Sequence, residues 1–160
     1  MSGKIMTRAQ LLPILAQARA QQQRIVFTNG CFDLMHVGHV RYLQAAKALG
    51  HLLVVGVNSD ASVRGLDKGA DRPIVPESQR AEVLAALGCV DYVVLFAEPD
   101  PEQLIAALQP DVLVKGGDWA IDKIVGRATV EARGGLVTTI PLVPGLSTTA
   151  LLQRIRSIAT

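Results

Sequence analysis

Aromatic side chains make up only 4% of this 160-residue chain, which has one tryptophan, two tyrosines and three phenylalanines. A core built from it is therefore aliphatic, drawn from a 49% hydrophobic composition. Cysteine is equally sparse. Cys31 and Cys89 stand far apart, with no C-x-x-C pair and no metal-ligand spacing, which excludes a disulfide framework or a zinc module. The net charge of +2 is too small to argue for nucleic acid or a membrane surface as partner. No apolar run approaches the ~18–20 residues needed to span a bilayer. Charged blocks, low-complexity tracts and internal repeats are missing too. With no signal-like leader, the two thiols read as free groups in a reducing cytosol, so a cytoplasmic location is expected.

What is present alternates. At this length one domain is expected, with an N-terminal helix in residues 1–23 and a core in 24–158. Thr7 and Gln10 have capping-box spacing and open a helix to about residue 22, with Leu11, Leu12, Ile14, Leu15 and Ala18 facing inward. Pro13 marks a kink or a later start. Apolar runs at 24–28, 52–57, 92–96, 112–115 and 137–141 read as five strands, and helical patterns follow at 38–49, 77–87, 101–108, 125–133 and 147–158. Residues 58–77 are polar and rich in Gly, Pro, Asp and basic side chains, which suggests a long functional loop. The alternation predicts an α/β fold, one doubly wound Rossmann-like parallel sheet of about five strands with helices on both faces. Ligands of such sheets sit beyond the strand C-termini.

The informative segment runs from Val26 through Thr28, Asn29, Gly30, Cys31, Phe32 and Asp33 to His36, Gly38 and His39. An apolar strand delivers its end to a glycine turn and then to a helix start. Free backbone N–H groups and the helix dipole favour phosphate there. Two imidazoles at the entrance add donors for charge developing on phosphorus. Taken alone, two such histidines could equally be helix-entry residues satisfying local hydrogen bonds. Cys31 could in principle be a nucleophile, but no third catalytic partner accompanies it, and a small residue packed near phosphate is the simpler account. Lys115, Gly116, Gly117 and Asp118 at the end of the fourth strand are ordinary turn chemistry by themselves. Facing the histidine turn, they suit nucleoside binding, with Asp118 accepting from ribose hydroxyls and Lys115 reaching phosphate. Ser147, Thr148 and Thr149 open the last helix, with Ser147 a plausible N-cap. Arg64, Lys68 and Arg72 are either a solvated basic face or ligands for substrate phosphate.

The His36-Val37-Gly38-His39 segment resembles the HxGH signature of the cytidylyltransferase-like nucleotidyltransferases. The resemblance is nearly chain-long and is closest to the adenylyltransferase domain of the ADP-heptose synthesis enzymes. It is carried by 27–39, Gly56-Val57-Asn58-Ser59-Asp60, Arg72-Pro73, Gln79-Arg80, Lys115-Gly116-Gly117-Asp118 and Ser147-Thr148-Thr149. It implies transfer of AMP from ATP to D-glycero-β-D-manno-heptose 1-phosphate, releasing pyrophosphate, as a step toward lipopolysaccharide core. His36, His39 and Lys115 would be the catalytic residues. The nucleotide would contact Thr28, Asn29, Gly30, Cys31, Phe32, Asp33, Gly38, Gly116, Asp118, Ser147, Thr148 and Thr149. Mg²⁺ would enter through the phosphates, with no ligand from protein side chains. Many members carry a fused sugar kinase, for which this sequence has no residues, so a stand-alone form is expected. A homodimer or higher assembly is implied by the resemblance alone. Trp119 keeps a rival open, cytidylyl transfer to glycerol 3-phosphate or a similar polyol phosphate. A non-catalytic nucleotide-binding module is the reading from a different class.

Overall fold

A computed structural model describes residues 3–66, 68–117 and 119–159. Five strands, β1 (Ile25–Gly30), β2 (Leu52–Asn58), β3 (Tyr92–Phe96), β4 (Val112–Gly116) and β5 (Leu136–Ile140), form one parallel sheet in the order β3-β2-β1-β4-β5. The chain runs outward from β1 to β3 and then returns to the other side of β1. The switch point thus falls between β1 and β4, where an open α/β sheet leaves a crevice at its carboxyl edge.

The strands are apolar along most of their length because helices cover both faces. Val26, Leu53, Val55, Val57, Val93, Val112 and Val114 fill one layer with Leu43, Ala46, Ala81 and Leu84. Ile25, Phe27, Val54, Val94 and Leu113 fill the other with Leu11, Leu15, Leu104, Ile105 and Leu108. The helices are α1 (Arg8–Ala20), α2 (Val37–Lys47), α3 (Asp60–Arg64), α4 (Glu77–Ala86), α5 (Glu102–Leu108), α6 (Arg127–Glu131) and α7 (Thr148–Ile158). Gly56 in β2 is required by packing, since a β-carbon there would lie 2.9 Å from Cζ of Phe27. Among the described residues no helix is long and apolar enough to cross a membrane.

Several local expectations are corrected. The capping box of Thr7 and Gln10 forms and Pro13 sits inside α1, but Leu12 is exposed, because the buried stripe is Leu11, Leu15 and Ala18. Asn29 and Gly30 are not turn residues. They extend β1 by pairing with Gly56 and Val57. The polar stretch after β2 is not one loop, because Ser59 caps α3 by accepting from the Ser62 N–H at 3.1 Å. The helix expected over 125–133 is only Arg127–Glu131, preceded by a 3-10 turn at Ile121–Lys123.

Candidate active site

The loop after β1 is held from below. Phe32 adopts a left-handed backbone (φ 49°), which costs a non-glycine residue energy and is sustained only by its surroundings. Those surroundings are specific. Asp33, buried, accepts from the backbone N–H of Ile74 at 3.0 Å and of Val75 at 2.9 Å, and from Nε of Arg72 at 2.5 Å. Burial alone would push this carboxyl up, but the two backbone donors and the Arg72 guanidinium outweigh it and hold it below the usual range. Arg80, buried in α4, donates to the Cys31 carbonyl at 2.6 Å, the Val75 carbonyl at 2.9 Å and Asp60 Oδ1 at 2.7 Å. Two arginines thus clamp the turn from its protein side.

His36 occupies the N-cap position of α2 without a side-chain cap hydrogen bond, and His39 is the helix's third residue. That spacing puts both imidazoles on one face of the first turn, where they stack with centroids 3.9 Å apart and planes inclined by 26°. His39 also meets Phe32 edge to face at 5.5 Å. The backbone N–H of His36 donates to Nδ1 of His39 at 3.3 Å, which leaves Nε2 to carry the proton of a neutral ring. Burial, then the neighbouring His36, lowers the His39 pKa to about 4, and burial lowers that of His36 as well. Both rings are therefore neutral donors near pH 7.

The other strand ends come to the same place. Lys115, at the end of β4, donates from Nζ to the Asn29 carbonyl at 3.3 Å and lies 5.8 Å from the centre of the Trp119 ring. Gly117 lets the β4 loop approach β5, since a β-carbon there would be 3.1 Å from Cα of Pro141. Ser147 caps α7 by accepting from the Ala150 N–H at 3.0 Å. Thr148 Oγ1 donates to the Leu34 carbonyl at 3.3 Å, tying the α7 N-terminus to the loop after β1. Two eleven-residue helices, α2 and α7, therefore aim their positive ends into one cleft.

That cleft has a volume of about 640 Å³. Of the residues expected there, Asn29, Gly30, Cys31, Phe32, Asp33 and His36 line it, as do Gly38, His39, Lys115, Gly116, Ser147 and Thr148. Thr28 does not. It is buried beneath the floor, with its hydroxyl 2.8 Å from that of Tyr42, whose pKa burial pushes up to about 12. Thr149 and Arg64 are exposed and line no part of the cleft, so their expected contacts have no support in this geometry. Asp118 lies outside the described residues. Lys68 and Arg72 both border the cleft. Arg72 is not a mobile loop cation, because its Nε is committed to Asp33.

Sequence reasoning missed Tyr42, Asn58 and the Pro99-Asp100-Pro101 corner after β3. It also missed an apolar wall of Leu66, Ile124, Val125, Leu142, Val143 and Leu146. The five-strand topology carried a signal for the corner, since β3 must also open on the carboxyl edge. The apolar wall had none. Among the described residues no three His, Cys, Asp or Glu side chains gather into a metal cage. Two side-chain atoms in the cleft, Asn29 Oδ1 and His36 Nδ1, are buried without a hydrogen-bond partner. Such atoms are rare in folded proteins and call for a ligand or a functional reason.

The chain is similar to known proteins in sequence and in fold. The family model described as cytidylyltransferase-like matches residues 27–154. Relatives called bifunctional protein HldE are 56% identical over 91% of the chain in Citrifermentans bemidjiense and 54% identical over 97% in Geotalea uraniireducens. The chain spans about 31% of the length of those relatives. A solved structure of the lipopolysaccharide core biosynthesis protein from Thermoplasma volcanium is similar with a TM-score of 0.63 and 30% identity, covering 76% of this chain and 97% of that one. Pantoate-beta-alanine ligase from Francisella tularensis, solved with beta-gamma ATP and beta-alanine, shares the fold alone. Its TM-score is 0.57 at 15% identity, covering 98% of this chain and 78% of that one.

Proposed function

Because the chain belongs to the cytidylyltransferase-like family, we propose that it transfers AMP from ATP to D-glycero-β-D-manno-heptose 1-phosphate. The observation that carries nucleotidyl transfer is the stacked His36–His39 pair at the N-terminus of α2, facing the N-terminus of α7 across one cleft. Support for the sugar comes from the HldE relatives and from the lipopolysaccharide core biosynthesis protein. The chain acts as one nucleotidyltransferase domain over 1–160, in the cytoplasm, as a homodimer or higher assembly on small-molecule substrates.

A phosphate oxygen of the sugar 1-phosphate attacks the α-phosphorus of ATP in line. The new P–O bond forms as the bond to the β-phosphate breaks, and pyrophosphate leaves with that electron pair. The protein positions the groups and stabilises charge. Neutral His39 donates from Nε2, and His36 beside it adds a second imidazole, to oxygens that gain charge in the transition state. Backbone N–H groups of the β1–α2 loop and of the α7 start surround the remaining phosphate oxygens. Lys115 sits at the β4 end, within reach of the same anion. No cluster of protein carboxylates or imidazoles stands ready to hold a metal among the described residues, so Mg²⁺ would be held by triphosphate oxygens and water and would supply charge neutralisation there.

Release of pyrophosphate, measured with ATP and CTP against a panel of sugar and polyol phosphates, tests this reading. ATP with the heptose 1-phosphate is expected to give the highest kcat/KM. Preference for CTP and glycerol 3-phosphate would transfer the assignment to the cytidylyl rival, which Trp119, a residue lining the cleft, keeps open. ATP binding without any pyrophosphate release would leave a non-catalytic module.

A further inference from the structure

Three buried side-chain polar atoms without a hydrogen-bond partner occur among the described residues, and two of them mark the cleft. The third is Nε of Arg19, at the opposite edge of the sheet. There the segments entering β1, β4 and β5 converge on a second cavity of about 460 Å³. Its walls carry Arg19, Arg24 and Arg133, the amides of Gln22 and Gln23, and one carboxylate, Asp111.

The three guanidiniums are not balanced. Every Arg–carboxylate pair within 4.0 Å among the described residues lies elsewhere, and Asp111 Oδ2 is engaged by the Ile25 N–H at 2.8 Å. Part of the donor set caps the C-terminus of α5. Arg19 donates to the carbonyls of Leu108 and Gln109, and Arg133 to that of Gln109 at 3.3 Å. The rest is unspent, including Nε of Arg19 and the whole guanidinium of Arg24. Burial, then repulsion from Arg133, lowers the Arg19 pKa against the opposing pull of Asp111, so the positive charge is crowded. Three cations and one anion leave a surplus of two, the net charge of the entire chain. That surplus sits in a concave site with forked donors suited to oxyanions.

We propose that this cavity is a second anion site, which binds a phosphate-bearing small molecule between Arg19, Arg24 and Arg133. The cavity is concave and the donors converge on it, which fits a compact oxyanion better than an extended acidic segment. Its position at the amino ends of β1 and β4 separates it from the nucleotide cleft by the length of those strands.

The test is an NMR titration of the full chain with inorganic diphosphate, following backbone amides. Saturable shifts are expected at Gln22, Gln23, Gly134 and Gly135, separate from those of Gly30 and Phe32, which report the cleft. Arg24 and Arg133 are exposed, so Arg24→Gln and Arg133→Gln should fold and turn over normally. Each should raise the concentration for half-saturation of the second site by about tenfold or more, the effect of losing one hydrogen bond to a charged group. Higher salt should weaken the site in parallel. Silence at those four amides up to millimolar diphosphate would overturn the proposal. So would identical curves in both variants, or shifts there with a polyglutamate peptide and none with diphosphate.

Discussion

The His36 imidazole packs on the bare α-carbon of Gly38: a β-carbon built there would lie 2.8 Å from Nδ1 and 2.9 Å from Cε1 of that ring. Glycine between the two histidines is thus a condition of their stacking, and the same added β-carbon would lie 3.4 Å from Cβ of Leu146, in the segment after β5. The residue lies in the first turn of α2, where alanine is a better helix former by about 1 kcal/mol. Gly38→Ala should therefore keep or raise the melting temperature while displacing His36 and lowering turnover by about 10²-fold. Pyrophosphate release beside a thermal melt separates the two effects. Unchanged turnover would show that the ring position is immaterial.

Contacts between residues close in sequence were legible before folding, and contacts between distant ones were not. The alternation of apolar runs with capped helices was legible, since Ser147 and the Thr7–Gln10 box act within a few residues. The convergence of the β1, β4 and β5 ends followed from parallel topology. The fate of Arg72 was not legible. A basic residue in a polar stretch looks like a substrate ligand, and only the folded chain brings it to Asp33. The same holds for Arg80, whose partners at Cys31 and Asp60 come from two other elements. Long-range charge pairing leaves no periodicity to read.

His39 makes stability depend on pH in a defined window. Its folded pKa of about 4 lies below the ordinary histidine value near 6.5, so the native state prefers the neutral ring. This contribution is complete above pH ~6.5 and is lost as pH falls toward ~4. Allowing for partial solvent exposure, the loss is on the order of 2 kcal/mol. Urea unfolding at several pH values should show the decline, and His39→Gln should flatten it. The same substitution should cut turnover by about 10²–10³-fold if Nε2 supplies a transition-state donor.

Asp33 and Arg72 form a buried pair 2.5 Å apart, with side-chain exposures of 0% and 8%. Asp33→Asn leaves the guanidinium without its counter-charge and weakens the hold on Ile74 and Val75. A loss of about 3–5 kcal/mol is expected, read from the denaturation midpoint at neutral pH. Because the carboxyl titrates below its usual range, wild-type stabilisation by this pair is whole above pH ~4 and fades as pH drops further. A variant as stable as the wild type would mean that Arg72 finds another partner.

The last helix is the least anchored element of the site. None of the residues of α7 is buried, and Ile155 and Ile158 are exposed at 57% and 75%. A helix of eleven residues whose inner side (Thr148, Ala150, Leu151 and Leu152) is only half-buried is marginal in water, so its N-cap carries unusual weight. Ser147 supplies that cap, and Thr148 adds the bond to Leu34 that fixes the helix start beside the histidine loop. Ser147→Ala should cost about 1 kcal/mol locally, which for so lightly packed a helix is enough to fray its first turn. Hydrogen exchange should then speed up at Ala150 and Leu151 while the amides of β1 and β4 stay protected. If the N–H groups of that turn meet phosphate as proposed, KM for the nucleotide should rise more than kcat falls. Faster exchange with unchanged KM would remove the α7 N-terminus from the nucleotide site.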